Sequence, residues 1–497
     1  MQKKQNKLLD GDSVKKNFIF QFLYQVVILV IPLVTSPYLT RVLGSKPLGV
    51  YTYTYSIAYY FVIVAMLGIN KYGQRIVAER KKDILSLRQT VWSLVSLHLI
   101  VSVLVFIAYI GYAMFLCTSD KRVALAQGIY VFSAIIDYAW LFQGLERFKT
   151  VVIRNTVVKV IECVCIFAFV KSPDDIVIYT VIMSASVCIG CVVILPQIFT
   201  AIKPIRFSTQ ELLEHIRPML VLFVAAIAAT IYTVFDKTLL GILSDVSNVA
   251  FYEYSNKIIT IPRTFIVVIS TVLFPKSCKM ASEKNYDGMN KTLTQSLIIN
   301  YFIGCASIFG LLAISDIFAV LYYGAEFEIC GKIICMMSPL ILIIGLGETL
   351  RSQYIYPLKK DKTMVCILFC NAAVNLILSA LLIPKIGVFG AVIGTSVAEL
   401  LGLVFELGLC RQYVSLKTFF VTGIPFAGIG ILMYCAIRVI STRLTQNLLG
   451  FLAEVLVGAA VYLIGCFIYC YFVNKETRQF LKQIQKTISK KRMKKSR

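Results

Sequence analysis

The chain has 497 residues, of which 58% are hydrophobic and only 15% are charged, and its mean hydropathy is +0.79. Soluble domains carry about 25% charged residues, and here no stretch long enough for a soluble domain separates the apolar runs. The composition therefore excludes a multidomain soluble protein and predicts an all-α, polytopic membrane protein.

Apolar runs of about 20 residues, the length that crosses a bilayer core, recur from one end of the chain to the other. Charged residues, prolines and glycines mark the ends of these runs. The pattern predicts about fourteen transmembrane helices. They lie near residues 17–38, 48–68, 91–111, 123–144, 153–170, 176–195, 218–241, 249–274, 293–314, 331–350, 365–382, 388–408, 420–440 and 449–473.

The net charge of +24 comes from Lys and Arg residues that cluster in short loops beside the apolar runs. If the number of spans is even, both tails lie on the same side of the membrane, together with every second loop. These tails and loops carry most of the basic residues. The positive-inside rule then predicts that both termini lie in the cytoplasm. Anionic lipid headgroups explain the basic C-terminal tail better than nucleic acid does.

Candidate catalytic and metal-binding motifs are sparse. The 15 cysteines lie mostly inside apolar runs, where cysteine acts as a small hydrophobic residue, and there are only two histidines. The predicted external loops are short, and their acidic residues form no Asp-x-Asp motif. The sequence therefore predicts a transporter and not an enzyme. A membrane glycosyltransferase or polymerase is the weaker alternative.

Two parts of the chain, about 200 residues apart, carry similar short motifs. Residues 41–44 (RVLG) are followed by YTYS at 53–56, and residues 237–241 (KTLLG) are followed by YEYS at 252–255. The repeated order predicts two duplicated six-helix lobes, followed by two extra helices. The predicted division is a basic tail at 1–16, an N-terminal lobe at 17–200, a C-terminal lobe at 201–410, two further spans at 411–473 and a second basic tail at 474–497.

The chain resembles Wzx-type oligosaccharide flippases in motifs that run in the same order through most of its length. These motifs are Ser36–Gly44, Gly49–Gly73, Asp236–Lys237, Tyr252–Pro262, Tyr354–Lys362 and Asn371–Glu399, the last with its IPxxGxxG at 383–390. The resemblance implies the fold of the multidrug/oligosaccharidyl-lipid/polysaccharide exporter (MOP) superfamily, which is MATE-like. That fold has two six-helix lobes around a central cavity that opens alternately to either side, plus two extra helices.

The resemblance also implies the cargo, an oligosaccharide on undecaprenyl or another polyprenyl diphosphate, flipped for O-antigen, capsule or teichoic-type polymer. The sugar hydroxyls and the diphosphate cannot cross hydrocarbon unaided, because polar groups without partners cost several kcal/mol each there. Expected partners are this cargo, membrane lipids and the glycosyltransferases and polymerase of the same pathway. A multidrug or metabolite antiporter of the same superfamily is the alternative.

Cations inside the spans are the candidates for binding the diphosphate, because an intramembrane charge usually has a function. Arg is the better partner, since its planar fork donates two parallel hydrogen bonds. Arg41 matches a cavity arginine of related lipid II flippases, and a kink at Pro262 would aim Arg263 inward. Lys257 pairs either with Glu253 or with cargo. The predicted substrate-binding residues are Arg41, Lys237, Lys257, Arg263, Tyr51 and Tyr55.

Tyrosines are dense in the second span. Tyr51, Tyr55 and Tyr59 are spaced four residues apart on one helix face, which indicates either an interfacial aromatic belt or a stacking surface for sugar. The other intramembrane cations are Lys159, Lys332 and Arg438, of which the last two lie close enough to span ends to snorkel.

Related lipid II flippases bind sodium at positions comparable to five residues of this chain, which are Asp236, Asn371, Asn375, Ala391 and Thr395. Asn375 replaces a second acid, and hard cations favour carboxylate oxygens, so sodium coupling is in doubt. Glu399 and Glu406, seven residues apart on one face, offer proton coupling as the alternative. No cofactor is predicted beyond such a coupling ion.

Overall fold

The computed structural model describes residues 14–445 and 447–473, and over these residues the protein is all-α, as predicted. The chain divides into two compact units, Met1–Phe251 and Tyr252–Arg497. The two units are the parts of the chain that pack most densely within themselves. The lobe boundaries at residues 200 and 410 rest on the sequence repeat instead, and they stay predictions. The basic tails 1–16 and 474–497 fall largely or wholly outside the described residues.

Unit 1 is built from long apolar helices joined by short loops. The helices are α1 (Val14–Leu43), α2 (Ser45–Met66), α3 (Ile69–Arg80), α4 (Ile84–Gly111), α5 (Lys121–Ile135), α6 (Ala139–Gly144), α7 (Phe148–Phe169), α8 (Ile176–Ala201) and α9 (Thr209–Leu243). A π-helical turn, Tyr112–Leu116, extends α4.

Unit 2 has the same character. Its helices are α10 (Ser247–Ser282), which begins in unit 1, α11 (Tyr286–Tyr323), α12 (Ile329–Met337), α13 (Pro339–Leu350), α14 (Asp361–Ile386), α15 (Val388–Cys410), α16 (Leu416–Val421), α17 (Ile424–Ser441) and α18 (Leu448–Ile468). A π-helical turn at Arg351–Ile355 continues α13, and another at Tyr469–Val473 continues α18.

Polar side chains cap several helices at the loops, where the first backbone N–H groups have no partner inside the helix. Asp83 accepts hydrogen bonds from two backbone N–H groups at the start of α4. Ser208 and Glu211 form a capping box at the start of α9, each accepting from the backbone N–H of the other. These caps place the helix starts in the polar loops that separate the apolar runs.

Among the described residues, eleven helices are long and apolar enough to cross a bilayer, and α12 with α13, bent by 41°, would make a twelfth span. The predicted fifth and seventh spans lie on α7 and α9, which have 22 and 35 residues but are not among the eleven. Helix α7 carries the charged residues Arg154, Lys159 and Glu162, which interrupt its apolar sequence. The total of fourteen spans stays a prediction.

Two spans predicted to be continuous are interrupted. The fourth span breaks between α5 and α6, where the Asp137 carboxylate accepts a hydrogen bond from the N–H of Ala139 at 3.0 Å and caps a new helix. The tenth span breaks between α12 and α13 at Pro339, which has no N–H to continue the helix and suits the first turn of the next. Both breaks follow from local side-chain chemistry rather than from hydropathy.

Helix α9 lies antiparallel along α2 and α3 within unit 1. Small residues allow this close approach, as is common between membrane helices. A Cβ on Gly241 would lie 2.1 Å from the Tyr53 ring, and one on Gly68 would lie 2.6 Å from the carbonyl oxygen of Met219. Along the seam the contacting pairs are Tyr53 with Gly241, Tyr60 with Thr238, Gly68 with Met219 and Tyr72 with His215.

Helices α14 and α15 form a tight hairpin that explains the glycines of the IPxxGxxG motif. Gly387 has φ 57°, which favours glycine, and it connects the two helices. A Cβ on Gly390 would lie 2.5 Å from the carbonyl carbon of Leu382, so the backbones touch there. The motif therefore specifies the turn and the close packing behind it.

Large apolar side chains point away from the packed interior of both units. Leu104, Phe115 and Leu456 expose 62, 80 and 69% of their surface. A soluble protein rarely leaves extensive apolar surface in water, whereas lipid solvates such surface. The protein is therefore a multi-pass membrane protein.

Candidate functional site

Five tyrosines from three helices of unit 1 form one continuous aromatic contact, which we call the tyrosine row. Along α2, the ring centroids of Tyr51 and Tyr55 are 6.0 Å apart, and those of Tyr55 and Tyr59 are 6.1 Å apart. Tyr130 of α5 stacks on Tyr55 at 5.2 Å, and Tyr179 of α8 lies 4.7 Å from Tyr51. The three tyrosines of α2 are half-buried, so the row keeps an accessible edge.

Helix α7 carries polar side chains that are already paired. Lys159 Nζ lies 2.8 Å from both carboxylate oxygens of Glu162, and Ser186 of α8 donates a hydrogen bond to the same carboxylate. The Arg154 guanidinium donates to the Gly190 carbonyl oxygen at 2.8 Å. Lys159 was a candidate for binding the diphosphate. Because Glu162 neutralises it, it is a weaker candidate than the sequence alone indicated.

The four predicted diphosphate-binding cations are divided equally between the units. In unit 1, Arg41 is exposed and donates to a backbone carbonyl one turn earlier in α1, and Lys237 is half-buried on α9. In unit 2, Lys257 and Arg263 are half-buried on α10. Lys257 Nζ lies 4.0 Å from the ring centroid of Tyr254, a cation–π contact.

The polar residues of α14 and α15 that were candidates for binding sodium lie together in unit 2. The Asn375 Nδ2 atom is 3.3 Å from Thr395 Oγ1, and Asn375 Oδ1 accepts a hydrogen bond from Ser379 at 2.9 Å. Asn371 is buried one turn before Asn375, and Ala391 is buried one turn before Thr395. The structure therefore brings these four predicted positions into neighbouring turns of the α14–α15 hairpin.

This set fits sodium poorly. Hard cations favour carboxylate oxygens, and neither Asn371 nor Asn375 supplies one. The oxygen of Asn375 already accepts from Ser379, and the Thr395 hydroxyl is engaged by the Asn375 amide. The only carboxylate of the predicted set, Asp236, belongs to unit 1, where it is 6% exposed. We therefore derive no transport step through sodium.

A buried ion cluster in unit 2 joins α13 to α15, and we call its three residues, Glu348, Arg351 and Glu406, the Arg351 cluster. Arg351 Nη1 lies 2.7 Å from Glu406 Oε1, and Arg351 Nη2 lies 3.2 Å from Glu348 Oε2. The Arg351 side chain is 16% exposed and that of Glu406 only 1%. Glu399, the alternative coupling residue, is buried two turns earlier on α15.

The predicted tenth span ends at residue 350, so the sequence analysis left Arg351 outside the membrane-spanning helix. The helix continues as a π-helical turn to Ile355, and Ser352–Ile355 are buried. The spacing of Glu348 and Arg351, three residues apart, was the available signal for a pair on one helix face. Glu406 gives no such signal, because its partner is 55 residues away in the chain.

Known proteins resemble this chain in sequence over most of its length. A family model described as polysaccharide biosynthesis protein matches residues 14–281, more than half of the chain. A putative O-antigen transporter of Shigella dysenteriae is 24% identical over 404 residues, covering 79% of this chain and 99% of that protein. A putative O-antigen transporter of Escherichia coli (strain K12) is 20% identical over 370 residues, covering 74% of this chain and 89% of that protein.

Among solved structures, the lipid II flippase MurJ in an inward closed conformation superposes with a TM-score of 0.73 at 17% identity. The match covers 92% of this chain and 98% of MurJ. Similarity at this level of identity shows a common fold, which agrees with the all-α architecture predicted from the sequence.

Proposed function

Because the chain belongs to the polysaccharide biosynthesis protein family, we propose that it flips a polyprenyl-diphosphate-linked oligosaccharide across the bacterial inner membrane by alternating access. Its resemblance to Wzx-type flippases is confirmed by the family match and by the O-antigen transporters among its relatives. The chain is a transporter of lipid-linked cargo and not an enzyme. We further propose that the lipid is linked through a diphosphate and that it carries a sugar unit. The transported unit would be used for a surface polymer such as O-antigen, capsule or teichoic-type polymer.

The tyrosine row is the observation that supports a sugar cargo. The apolar C–H face of a sugar ring can stack on an aromatic ring while the tyrosine hydroxyl hydrogen-bonds, because tyrosine combines an apolar body with a polar tip. Three helices contribute to the row, so it is held more rigidly than a side chain on one helix. We propose Tyr51 and Tyr55 as sugar-binding residues and Arg41, Lys237, Lys257 and Arg263 as diphosphate-binding residues.

The membrane orientation and the pathway belong to the same proposal. The basic residues of alternate loops support cytoplasmic termini. The repeated motifs support two lobes, at 17–200 and 201–410, followed by the spans at 411–473. Glycosyltransferases would supply the cargo on the cytoplasmic side, and a polymerase would consume it on the other side.

Reconstituted flipping tests the proposal directly. Proteoliposomes containing a fluorescent polyprenyl-diphosphate N-acetylglucosamine are expected to move the probe between leaflets faster than protein-free liposomes. Tyr55→Ala should lower the initial rate about fivefold, since a stacking contact is worth about 1 kcal/mol. Tyr55→Phe should retain most of the rate.

Tyr434→Ala is the matched control, because Tyr434 is a half-buried tyrosine of α17 that lies outside the row. Its rate should equal that of the unmodified protein. Flipping no faster than in protein-free liposomes would overturn the proposed function. Equal losses in Tyr55→Ala and Tyr434→Ala would overturn the role of the row alone.

We expect flipping to be independent of sodium. At the sodium positions of the related flippases, this chain has Asn375 in place of a second acid, and Asn375 and Thr395 are hydrogen-bonded to each other. Replacing Na⁺ by choline on both sides of the proteoliposomes should change the initial rate by less than about twofold. A rate that collapses without sodium and returns on its addition would contradict this expectation.

A further inference from the structure

The Arg351 cluster holds more negative than positive charge. One guanidinium contacts two carboxylates, those of Glu348 and Glu406. Glu399 adds a further carboxyl group, which is buried and interacts electrostatically with Arg351 and Glu406. A buried charge without an opposite charge is strongly disfavoured, and carboxylates that share one site do not all stay ionised. The excess of acid therefore predicts that the cluster binds a proton.

The contacts select Glu406 among these acids. Its Oε1 accepts from Arg351, whereas its Oε2 is buried and has no hydrogen-bond partner within the described part of the chain. Oε2 lies against Gly347, where a Cβ would come within 2.7 Å of it. The Glu348 side chain, by contrast, is 29% exposed, so it is much less enclosed than that of Glu406. An ionised Glu406 would thus leave one oxygen buried without a donor.

The surroundings of Glu406 contain few other ionisable groups. Glu348 of α13 faces it, as do Arg351 and Tyr356 from the segment that joins α13 and α14. On α15 itself, Glu399 and Cys410 are the neighbouring ionisable groups. Lys360 donates to the Leu409 carbonyl oxygen at 3.2 Å, close to Cys410. From α14, the amide of Asn371 reaches the backbone at Gly402, one turn before Glu406, and carries no charge. Arg351 is the only one of these cations in direct contact with the carboxyl group.

We propose that Glu406 is a proton-binding site poised by Arg351 and that it couples transport to a pH gradient. This inference rests on the proposed function. When a proton from water adds to the carboxylate, an O–H bond forms and Glu406 becomes neutral, and Glu348 alone then balances Arg351. Release returns the proton to water and restores the ion pair. No other bond changes.

The helix geometry at Arg351 suits such a change of partners. A π-helical turn begins at Arg351 and ends the helix at Ile355, so the regular α-helical hydrogen-bond pattern stops at Arg351. Gly347, one turn earlier, leaves the space that Glu406 Oε2 occupies. Arg351 thus sits at an irregular point of the helix, between one buried and one half-exposed carboxyl group.

Glu454 provides an internal comparison. It is 2% exposed on α18, its Oε2 also lacks a hydrogen-bond partner, and none of the described ion pairs includes it. Glu406 differs because it contacts Arg351, a cation that stabilises the ionised carboxylate. Glu454→Gln is therefore the matched control for Glu406→Gln.

Infrared difference spectroscopy of the purified protein in lipid, between acidic and alkaline pH, tests proton binding without any cargo. We expect a protonated-carboxyl C=O band that appears on acidification and that Glu406→Gln removes. Glu454→Gln should leave this pH-dependent band unchanged. If Glu406→Gln does not alter the titrating band, the proton site is wrong, whatever the flipping assay shows.

Flipping of the fluorescent polyprenyl-diphosphate N-acetylglucosamine under a pH gradient tests coupling. For one proton per cycle, each unit of pH difference should shift the ratio of probe between the leaflets about tenfold. In Glu406→Gln this shift should vanish while the probe still equilibrates, and Glu454→Gln should behave like the unmodified protein. A gradient without effect on the unmodified protein would overturn the coupling. Absence of flipping at any pH would instead refute the proposed function.

Discussion

Replacing Arg41 or Arg263 with alanine is expected to abolish surface polysaccharide while the protein remains inserted in the membrane. Arg41 is exposed near the end of α1 and Arg263 is half-buried on α10, so both can donate hydrogen bonds to cargo. A guanidinium offers two parallel, charge-assisted hydrogen bonds to a phosphate, each worth about 1.5–3 kcal/mol. Losing one such pair is therefore enough to lower transport by two or more orders of magnitude.

The measurement is the amount of surface polymer in a strain whose own gene is replaced by each variant, with the protein quantified in isolated membranes. Arg438→Ala is the matched control, because Arg438 is an exposed arginine of α17 whose contacts are a 3.4 Å hydrogen bond to the Leu312 carbonyl oxygen and a cation–π contact with Tyr434. It should support normal polymer. Normal polymer from both Arg41→Ala and Arg263→Ala would refute a cationic binding site for the diphosphate.

Gly390→Val is expected to destabilise unit 2 strongly. The added side chain would collide with the backbone of Leu382, which cannot move aside as the end of a flexible side chain can. Overpacking of this kind costs about 1–3 kcal/mol, and more where backbone must shift. The hairpin of α14 and α15 also holds Asn375 and Thr395, so the change should disturb that polar network as well.

Thermal unfolding in detergent, followed by size-exclusion chromatography of the heated protein, measures this effect. Gly408→Val lies on the same helix, and no heavy atom lies within 4 Å of the Cβ it would add. It introduces the same β-branched residue, so it corrects for helix propensity. Equal melting temperatures for the two variants would show that the backbone contact at Gly390 is not important for stability.

The architecture was readable from the sequence because the length of an apolar run directly reports a crossing of the bilayer. Contacts between helices are a different matter. Tyr51, Tyr55 and Tyr59 share a face by spacing alone, but Tyr130 and Tyr179 join them only through the packing of α5 and α8. Which helices pack side by side, and which of their residues meet, is not encoded in any periodic pattern of the sequence.

The Arg351 cluster shows the same limit for charge. A charged residue that follows an apolar run is expected in a loop, and hydropathy gave no reason to extend the helix past Leu350. Arg351 can be buried because Glu406, near the end of α15, lies beside it and balances its charge. The sequence does not reveal that these two residues are neighbours. In α7, by contrast, Lys159 and Glu162 are three residues apart, so their pairing was available from spacing.

The antiparallel seam of α9 on α2 and α3 has a consequence for how the protein is made. The predicted repeat counts α9 with the second half of the chain, yet α9 supplies the partner for Tyr53 and the surface against which Gly68 packs. When the ribosome has synthesised residues 1–201, the first unit therefore still lacks one wall. The face of α2 and α3 that carries Tyr53 and Gly68 stays uncovered until α9 follows into the membrane, so assembly of the first unit extends into synthesis of the second half.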